Sequence, residues 1–174
     1  STVGEAEDLV EMANQTKKGR QVGHIENFNV AILKLKEVVT KPMFIEAHRL
    51  GGFQPRVKDI GVVLDLMIHD IDIILRVVNS RIRSIDAVGV PVLTSREDIA
   101  NARIAFDNGC VANVTASRVT NKVMQKMRFF SEQGYNSVDF AKRELTSLHR
   151  RFDEQGKPII GQNPVSIKIC DPLE

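Results

Sequence analysis

The sequence has few of the features that mark several large classes of protein. It contains two cysteines, Cys110 and Cys170, and no Cys-x-x-Cys pair, so it predicts neither a disulfide framework nor a thiolate metal site. No apolar run reaches the ~18 residues of a membrane span, and no block of lysine or arginine indicates a nucleic-acid surface. With a net charge of +2 over 174 residues, the chain is expected to be a cytoplasmic globular protein without a nucleic-acid, membrane or metal partner.

The first residues indicate a helix and a strand that have no sheet of their own. Thr2 and Glu5 are spaced as a capping box, an apolar stripe at helical spacing follows, and Gly19 is the predicted end of the helix. Residues 20–24 then predict one short buried strand. A helix followed by a strand is the second half of an α/β unit. Residues 1–24 therefore predict the end of a larger α/β domain, and the chain is expected to be a fragment.

Two further helices are predicted before the pattern of the chain changes. Apolar periodicity predicts them over 30–39 and 59–78, with Asp59 as the N-cap of the second. The run 43–50 between them predicts a strand.

Apolar and polar side chains alternate with a period of two from residue 82 onward. Asn108 and Gly109 stand between two such runs and predict a hairpin, because both residues tolerate positive φ. The hairpin has one apolar and one polar face, so one side of the sheet is expected to pack on helices and the other to meet water, a partner or a ligand. The predicted fold class over residues 25–174 is α+β: a large, mainly antiparallel open β-sheet with helices packed on one face.

Four ionisable side chains form a narrow line on the third predicted helix. Asp65, His69, Asp72 and Arg76 fall within an arc of about 60°, whereas Asp70 lies about 140° from Asp65. Aliphatic side chains flank the line on both sides. Charged groups are costly to bury unless they are paired or hydrogen-bonded, so the line is predicted to face a cleft or a paired network.

Three interpretations of this line compete on the residues alone. Arg76 could neutralise Asp72 in a salt-bridge ladder. An aspartate and a histidine one turn apart could share a metal ion. Asp65 could hold the ring of His69 and stabilise its protonated form, which makes an acid/base couple that titrates near neutral pH.

The sequence resembles the Gfo/Idh/MocA family of NAD(P)-dependent oxidoreductases in three stretches: VGHIENFN, FIEAHRLGGFQPR and DIGVVLDLMIHDID, at 22–29, 44–56 and 59–72. The later GCVANVTASRV and RFFSEQGYNSVDF resemble strands of that family's C-terminal domain. The most specific element is the Asp-x-x-x-His of Asp65 and His69. Family members combine a Rossmann domain with a C-terminal α+β domain, and they oxidise or reduce a hydroxyl carbon of a sugar, cyclitol or sugar nucleotide.

The resemblance implies two parts of unequal size. Residues 1–24 would be the C-terminal remnant of the dinucleotide-binding domain, that is, the last helix and strand of a truncated Rossmann domain. Residues 25–174 would be the substrate-binding and dimerisation domain. The family's glycine-rich phosphate loop and Glu-Lys-Pro motif do not occur in this sequence. NAD or NADP is therefore expected in the intact protein and no cofactor on this fragment, which is expected to be inactive alone.

The resemblance also implies roles for the couple on the third helix. His69 would take the proton from the substrate hydroxyl as hydride leaves for the nicotinamide, and Asp65 would orient and charge-stabilise the imidazole. The alternative is a non-catalytic sensor or scaffold with the same fold, which a His69 ring packed without solvent access would favour.

Basic residues are the candidates for substrate contact. Arg49 and Arg56 flank the loop LGGFQP, and a guanidinium binds phosphate or carboxylate in bidentate fashion; the alternative is that both are surface groups. Arg118, placed at the end of a strand on the polar face, and His24 are further candidates, while Asn27 stands where family members often carry an arginine. The region around DLMIHDID is similar to members that act on nucleotide-linked amino sugars, including the 3-oxidation of UDP-N-acetylglucosamine.

Assembly is the last expectation. The open face of the large sheet is commonly an oligomer interface in this family, and residues 123–130 are partly apolar at both odd and even positions. We therefore expect a homodimer through the sheet, with methionines packed under the helices as the alternative. The expected small-molecule partner is a sugar or a sugar nucleotide.

Overall fold

The computed structural model describes residues 2–19, 23, 32, 35, 37–161 and 165–168. The candidate His24 and most of the predicted strand over 20–24 lie outside the described residues. Within the predicted helix over 30–39, residues 32, 35, 37 and 38 are helical.

The first helix, α1, spans Val3–Thr16 and forms from local signals. Its predicted capping box is confirmed: the Glu5 amide donates to Thr2 Oγ1 at 3.3 Å, and the Thr2 amide donates to Glu5 Oε2 at 2.7 Å. The helix ends at Lys17, whose φ is 51°, rather than at the predicted Gly19. None of its residues is buried, and its apolar side chains are exposed except for that of Ala13, which is half-buried.

One large mixed sheet follows, in the order β2-β3-β4-β1-β5-β6-β7-β8, with β9 also paired to β7. β1 runs parallel to β4, and every other described pair is antiparallel. This arrangement confirms the predicted α+β class with a mainly antiparallel sheet. The strands are β1 Phe44–Leu50, β2 Ile82–Val90, β3 Ile99–Phe106, β4 Val111–Ser117, β5 Met124–Ser131, β6 Gly134–Asp139, β7 Glu144–Phe152, β8 Pro158–Ile160 and β9 Val165–Lys168.

The third predicted helix contains a change of helix type. A π-helical turn spans Val63–Met67, and a regular α-helix, α2, spans Ile68–Val78. The amide of Ile68 donates to the carbonyl of Val63, five residues back, which is the hydrogen bond that defines a π-helix. The prediction of one α-helix over 59–78 is therefore right for its second half and wrong for its first. None of the helices in the described part of the chain is long and apolar enough to cross a membrane.

The predicted N-cap Asp59 is wrong, because tertiary contacts hold the chain just before the π-helical turn. Pro55–Val57 form a short 3₁₀ turn, and the amide of Val62 donates to the carbonyl of Glu97 at 2.9 Å. Gly61 lies against the Glu97 side chain so closely that a methyl group there would overlap the carboxylate. The helical segment therefore begins only after Gly61.

The core lies between the helices and one face of the sheet. Ala47 of β1 stands opposite Val114 of β4 and Met127 of β5, and all three are fully buried. Because strand side chains alternate between faces, this register puts the apolar set of every central strand under the helices. Met127 thus packs under the helices, which was the alternative to a place in an oligomer interface. Other members of the core are Ile32, Leu35, Ile45, Ile73, Ile74, Ala102, Ile104, Phe106, Ala112, Ala116 and Phe129.

The hairpin between β3 and β4 forms as predicted but with a different turn. The amide of Gly109 donates to the carbonyl of Phe106 at 3.1 Å, and the amide of Phe106 donates to the carbonyl of Cys110 at 2.9 Å. Gly109 has a φ of 87°, whereas Asn108 keeps a negative φ. Three-residue hairpin loops need one left-handed residue, usually glycine. Only Gly109 uses the positive φ that both residues tolerate, and Asn108 Oδ1 accepts the Cys110 amide.

Candidate functional site

A cleft of about 210 Å³ opens at the end of the sheet where the parallel strands β1 and β4 terminate. Four side chains singled out from the sequence meet there: Asp65, Arg49, Arg56 and Arg118. The structure thus brings together residues that are up to 69 positions apart in the chain. The other lining residues are Leu50, Gly51, Gly52, Gln54, Val57, Leu66, Val123 and Gln125.

The π-helical turn determines where Asp65 points. Asp65 lies inside that turn, is half-buried, and lines the cleft beside Arg49. Asp70, five residues later, binds the guanidinium of Arg49. Asp65 thus lines the cleft, whereas Asp70, about 140° away at α-helical spacing, is buried in the ion pair with Arg49. Asp70 therefore lies off the predicted line and is the partner of an arginine that lines the cleft.

Arg49 is held in a buried ion pair. Its Nε donates to Asp70 Oδ1 and Oδ2 at 3.2 and 3.1 Å, and its Nη2 donates to Oδ1 at 2.8 Å. The two side chains are 5% and 4% exposed, and the guanidinium lies 5.7 Å from the centre of the Phe140 ring. The alternative that Arg49 is a surface group is therefore wrong. Whether it also contacts substrate stays a prediction.

Arg118 lies on the opposite face of the sheet from the one predicted. Side chains two residues apart on a strand share a face, and Arg118 follows the buried Ala112, Val114 and Ala116 at this spacing. Arg118 therefore lies under the helices rather than on the polar face. Its residue is 2% exposed. The correction matters because burial of a charge requires a partner, and the Nε of Arg118 donates to Asp98 Oδ1 at 2.7 Å.

Arg56 differs from the other two arginines of the cleft because its side chain is exposed. Its Nε donates to Gln54 Oε1 at 2.9 Å, within the same loop. The neutral amide orients the guanidinium without cancelling its charge. For Arg56, the surface alternative and the ligand-binding interpretation both fit this exposed position.

His69 occupies the first turn of α2 and is half-buried. It is not among the residues that line the cleft, whereas Asp65, one turn earlier, is. His69 keeps partial exposure as a whole residue, while its Nδ1 atom is buried. The assigned roles of His69 and Asp65 stay predictions.

Asp72 and Arg76, the last two members of the ionisable line, form the ion pair that the salt-bridge interpretation expects. Arg76 Nε lies 3.1 Å from Asp72 Oδ2, and the two side chains are 50% and 19% exposed. Among the described residues, no group of three or more histidine, cysteine, aspartate or glutamate side chains lies close enough together to hold a metal ion.

Asp98 is a buried residue of this region that the sequence did not reveal. It is fully buried and lies 20 positions before its partner Arg118, so no helical or strand spacing links the two. The available signal was an aspartate directly before the apolar run IANARIAF, which is typical of a turn that leads into a strand. That signal does not predict which side chain the carboxylate binds.

Known proteins resemble this chain in sequence and in fold. Residues 41–136 match the family profile described as the GFO/IDH/MocA C-terminal domain. A UDP-N-acetylglucosamine 3-dehydrogenase from Acidithiobacillus ferrooxidans is 40% identical over 147 residues, which cover 84% of this chain and 47% of the relative.

Solved structures give the same result. A structure of the Acidithiobacillus ferrooxidans enzyme superposes with a TM-score of 0.84 at 33% identity, over 98% of this chain and 53% of that one. An inositol dehydrogenase homolog from Azotobacter vinelandii, in complex with NADH and myo-inositol, has a TM-score of 0.80 at 18% identity, over 96% and 47%; this likeness shows the fold alone. The chain spans about half the length of the relatives it matches. The chain belongs to the Gfo/Idh/MocA family.

Proposed function

We propose that the intact protein containing this chain is an NAD- or NADP-dependent dehydrogenase of a sugar or sugar nucleotide. In this proposal residues 25–174 are its substrate-binding and oligomerisation domain, and residues 1–24 are the end of its dinucleotide-binding domain. The observation that carries the proposal is the cleft that joins Asp65 to three arginines. Membership of an oxidoreductase family supports the reaction class.

We propose UDP-N-acetylglucosamine, oxidised at its 3-hydroxyl, as the substrate. The relative with 40% identity carries that activity in its name. A diphosphate needs cationic donors, and the exposed guanidinium of Arg56 at the cleft is suited to it. Arg49 and Arg118 lie behind the surface in buried ion pairs whose aspartates balance their charge, so Arg56 is the arginine that we expect to contact the diphosphate.

The proton step belongs to this chain and the hydride step does not. The glycine-rich phosphate loop that holds a dinucleotide does not occur in this sequence, so the residues here do not fit NAD or NADP. The rest of the intact protein would hold the cofactor, which would accept the hydride of the same carbon whose hydroxyl loses its proton; this fragment alone would be inactive. His69 would take the proton of the substrate hydroxyl, and the Asp65 carboxylate would stabilise the imidazolium that results.

Replacement of the imidazole tests the proposal. His69→Ala in the intact protein should lower kcat for UDP-N-acetylglucosamine oxidation by about 10²- to 10⁴-fold, because a general base contributes about that much. The rate is read from the absorbance of the reduced nicotinamide. His149→Ala is the matched control, since His149 is an exposed histidine on β7. Unchanged turnover in the His69 variant would remove His69 from the chemistry.

We also propose that the protein is a cytoplasmic homo-oligomer that associates through the open face of its sheet. That face carries the aromatic cluster of Phe44, Phe130 and Tyr135. The ring centre of Phe130 lies 5.9 Å from that of Phe44 and 5.1 Å from that of Tyr135. Beside the cluster, Arg128 Nη1 donates to Glu46 Oε2 at 3.2 Å. An aromatic patch next to oriented charges is the composition that interfaces favour.

A further inference from the structure

We propose that Arg118 and Asp98 are positioning residues: their buried ion pair fixes the segment 51–60, and through it Arg56, at the cleft. This segment contains GGFQP, at 51–55, and the short turn that leads to Gly61. The inference rests on the proposed function where it concerns substrate, but its structural part stands independently.

The carboxylate of Asp98 is the fixed point of the arrangement. Its Oδ2 accepts the amides of Val92, Leu93 and Thr94 at 2.8, 2.6 and 2.9 Å. Its Oδ1 accepts Thr94 Oγ1 at 3.0 Å and Arg118 Nε at 2.7 Å. Burial by itself would raise the pKa of Asp98, but these backbone amides and the Arg118 guanidinium outweigh it and hold that pKa well below its ordinary value. Asp98 is therefore a carboxylate in the folded protein at neutral pH.

The guanidinium of Arg118 links the Asp98 carboxylate to the segment 51–60. Its Nη1 donates to the carbonyl of Val57 at 3.0 Å and to the carbonyl of Ile60 at 2.6 Å. The ring of Phe53 lies beneath it, 5.5 Å from the ring centre to the guanidinium carbon. Val57 directly follows Arg56 in the chain, so these contacts set the position of the exposed arginine.

A direct role in substrate binding fits Arg118 less well than positioning. Arginine has five N–H groups, and four of those in Arg118 are used by Asp98, Val57, Ile60 and Thr94. The residue is 2% exposed. Binding a substrate phosphate would require giving up at least one of these contacts or moving the whole group outward.

The two roles predict opposite results for one substitution. If Arg118 bound substrate directly, Asp98→Asn would remove its competing anion and would leave KM unchanged or lower it. If the pair positions the segment 51–60, the same substitution loosens Arg56 and raises KM. Arg118→Lys keeps the charge but cannot span Asp98 and both carbonyls, so it should raise KM as well.

The kinetic experiment uses the intact protein with UDP-N-acetylglucosamine. We expect Asp98→Asn and Arg118→Lys each to raise KM about tenfold, which corresponds to one or two lost hydrogen bonds, with kcat changed less than about threefold. The double variant should be no worse than either single variant, because both act through one pair. The controls are Arg96→Lys, on the same loop, and Asp86→Asn, on β2; both residues are exposed. An unchanged KM, or a lower KM in Asp98→Asn, overturns the inference.

Amide hydrogen exchange tests the same inference without catalysis. The amides of Val57 and Ile60 are bonded within the segment 51–60, at 3.1 and 3.2 Å. Both variants should exchange these amides about tenfold faster than the wild type, while α2 and β4 keep their rates. Unchanged exchange overturns the positioning role. If the wild type turns over no sugar nucleotide, the proposed function fails, and exchange still decides the role of the pair.

A milder variant covers the case in which Asp98→Asn does not fold. Thr94→Val removes the hydroxyl that donates to Asp98 Oδ1 and accepts from Arg118 Nη2, yet it leaves the ion pair. It should raise KM and speed exchange of the segment 51–60 in the same direction and to a smaller extent. Wild-type values for both quantities would count against the inference.

Discussion

At the scale of single residues, the burial of each charged group decides its importance more than its charge does. Arg49 and Asp70 form an ion pair that is almost fully buried, whereas Arg76 and Asp72 form one at the surface. The same rule applies to a neutral group: burial raises the pKa of the Cys110 thiol to about 11, so that thiol stays protonated at neutral pH.

Two aspartates on α2 provide a matched test of this rule. Asp70→Asn should lower the free energy of unfolding by about 3–5 kcal/mol, because it leaves the buried guanidinium of Arg49 without its counter-charge. Asp72→Asn, on the same helix and with the same change of atoms, should cost about 1 kcal/mol or less, since its pair is exposed. Urea denaturation of the intact protein measures both. Equal losses for the two variants would contradict the assignment of Asp70 as the buried partner.

At the scale of elements, the sequence predicted what neighbouring residues determine and missed what distant residues determine. The capping box of α1 and the hairpin at Gly109 were predictable because each depends on residues within a few positions. The π-helical turn was not, since the chain before it is fixed by Glu97, which lies 35 positions after Val62. The candidate site followed the same division. Asp65 and the arginines could be singled out by type and spacing, but the partner of Arg118 could not.

The backbone amides that bind the Asp98 carboxylate should make the free energy of unfolding depend on pH. The pKa of Asp98 lies below its value of about 3.9 in an unfolded chain, so the folded state binds the proton less tightly. Its contribution is therefore complete above about pH 4 and is lost as the pH falls through the folded-state pKa. The urea midpoint of the wild type should fall more steeply from about pH 4 to about pH 2 than that of Asp98→Asn. Parallel curves would show that Asp98 does not titrate as the structure implies.

At the scale of the whole molecule, the sheet has one face packed on helices and one open face, and the sequence alone could show only that the two differ. On the open face, Glu46 stands between Asn113 and Arg128, and Phe44 stands between Val111 and Phe130. Polar and apolar rows thus run across several strands. Such rows form only when β4, β1 and β5 are aligned, so they could not be predicted without the strand order.

The aromatic row leads to a prediction about assembly. Phe130→Glu should convert the proposed homo-oligomer of the intact protein to monomers, because the carboxylate would be buried without a partner at the interface, at a cost of several kcal/mol. Light scattering coupled to gel filtration measures the mass at micromolar concentration. Leu93→Glu is the control, since it makes the same kind of change at an exposed loop position and should leave the mass unchanged. A wild type that is monomeric, or a Phe130 variant that keeps the full oligomeric mass, would show that copies of the chain do not associate through this face.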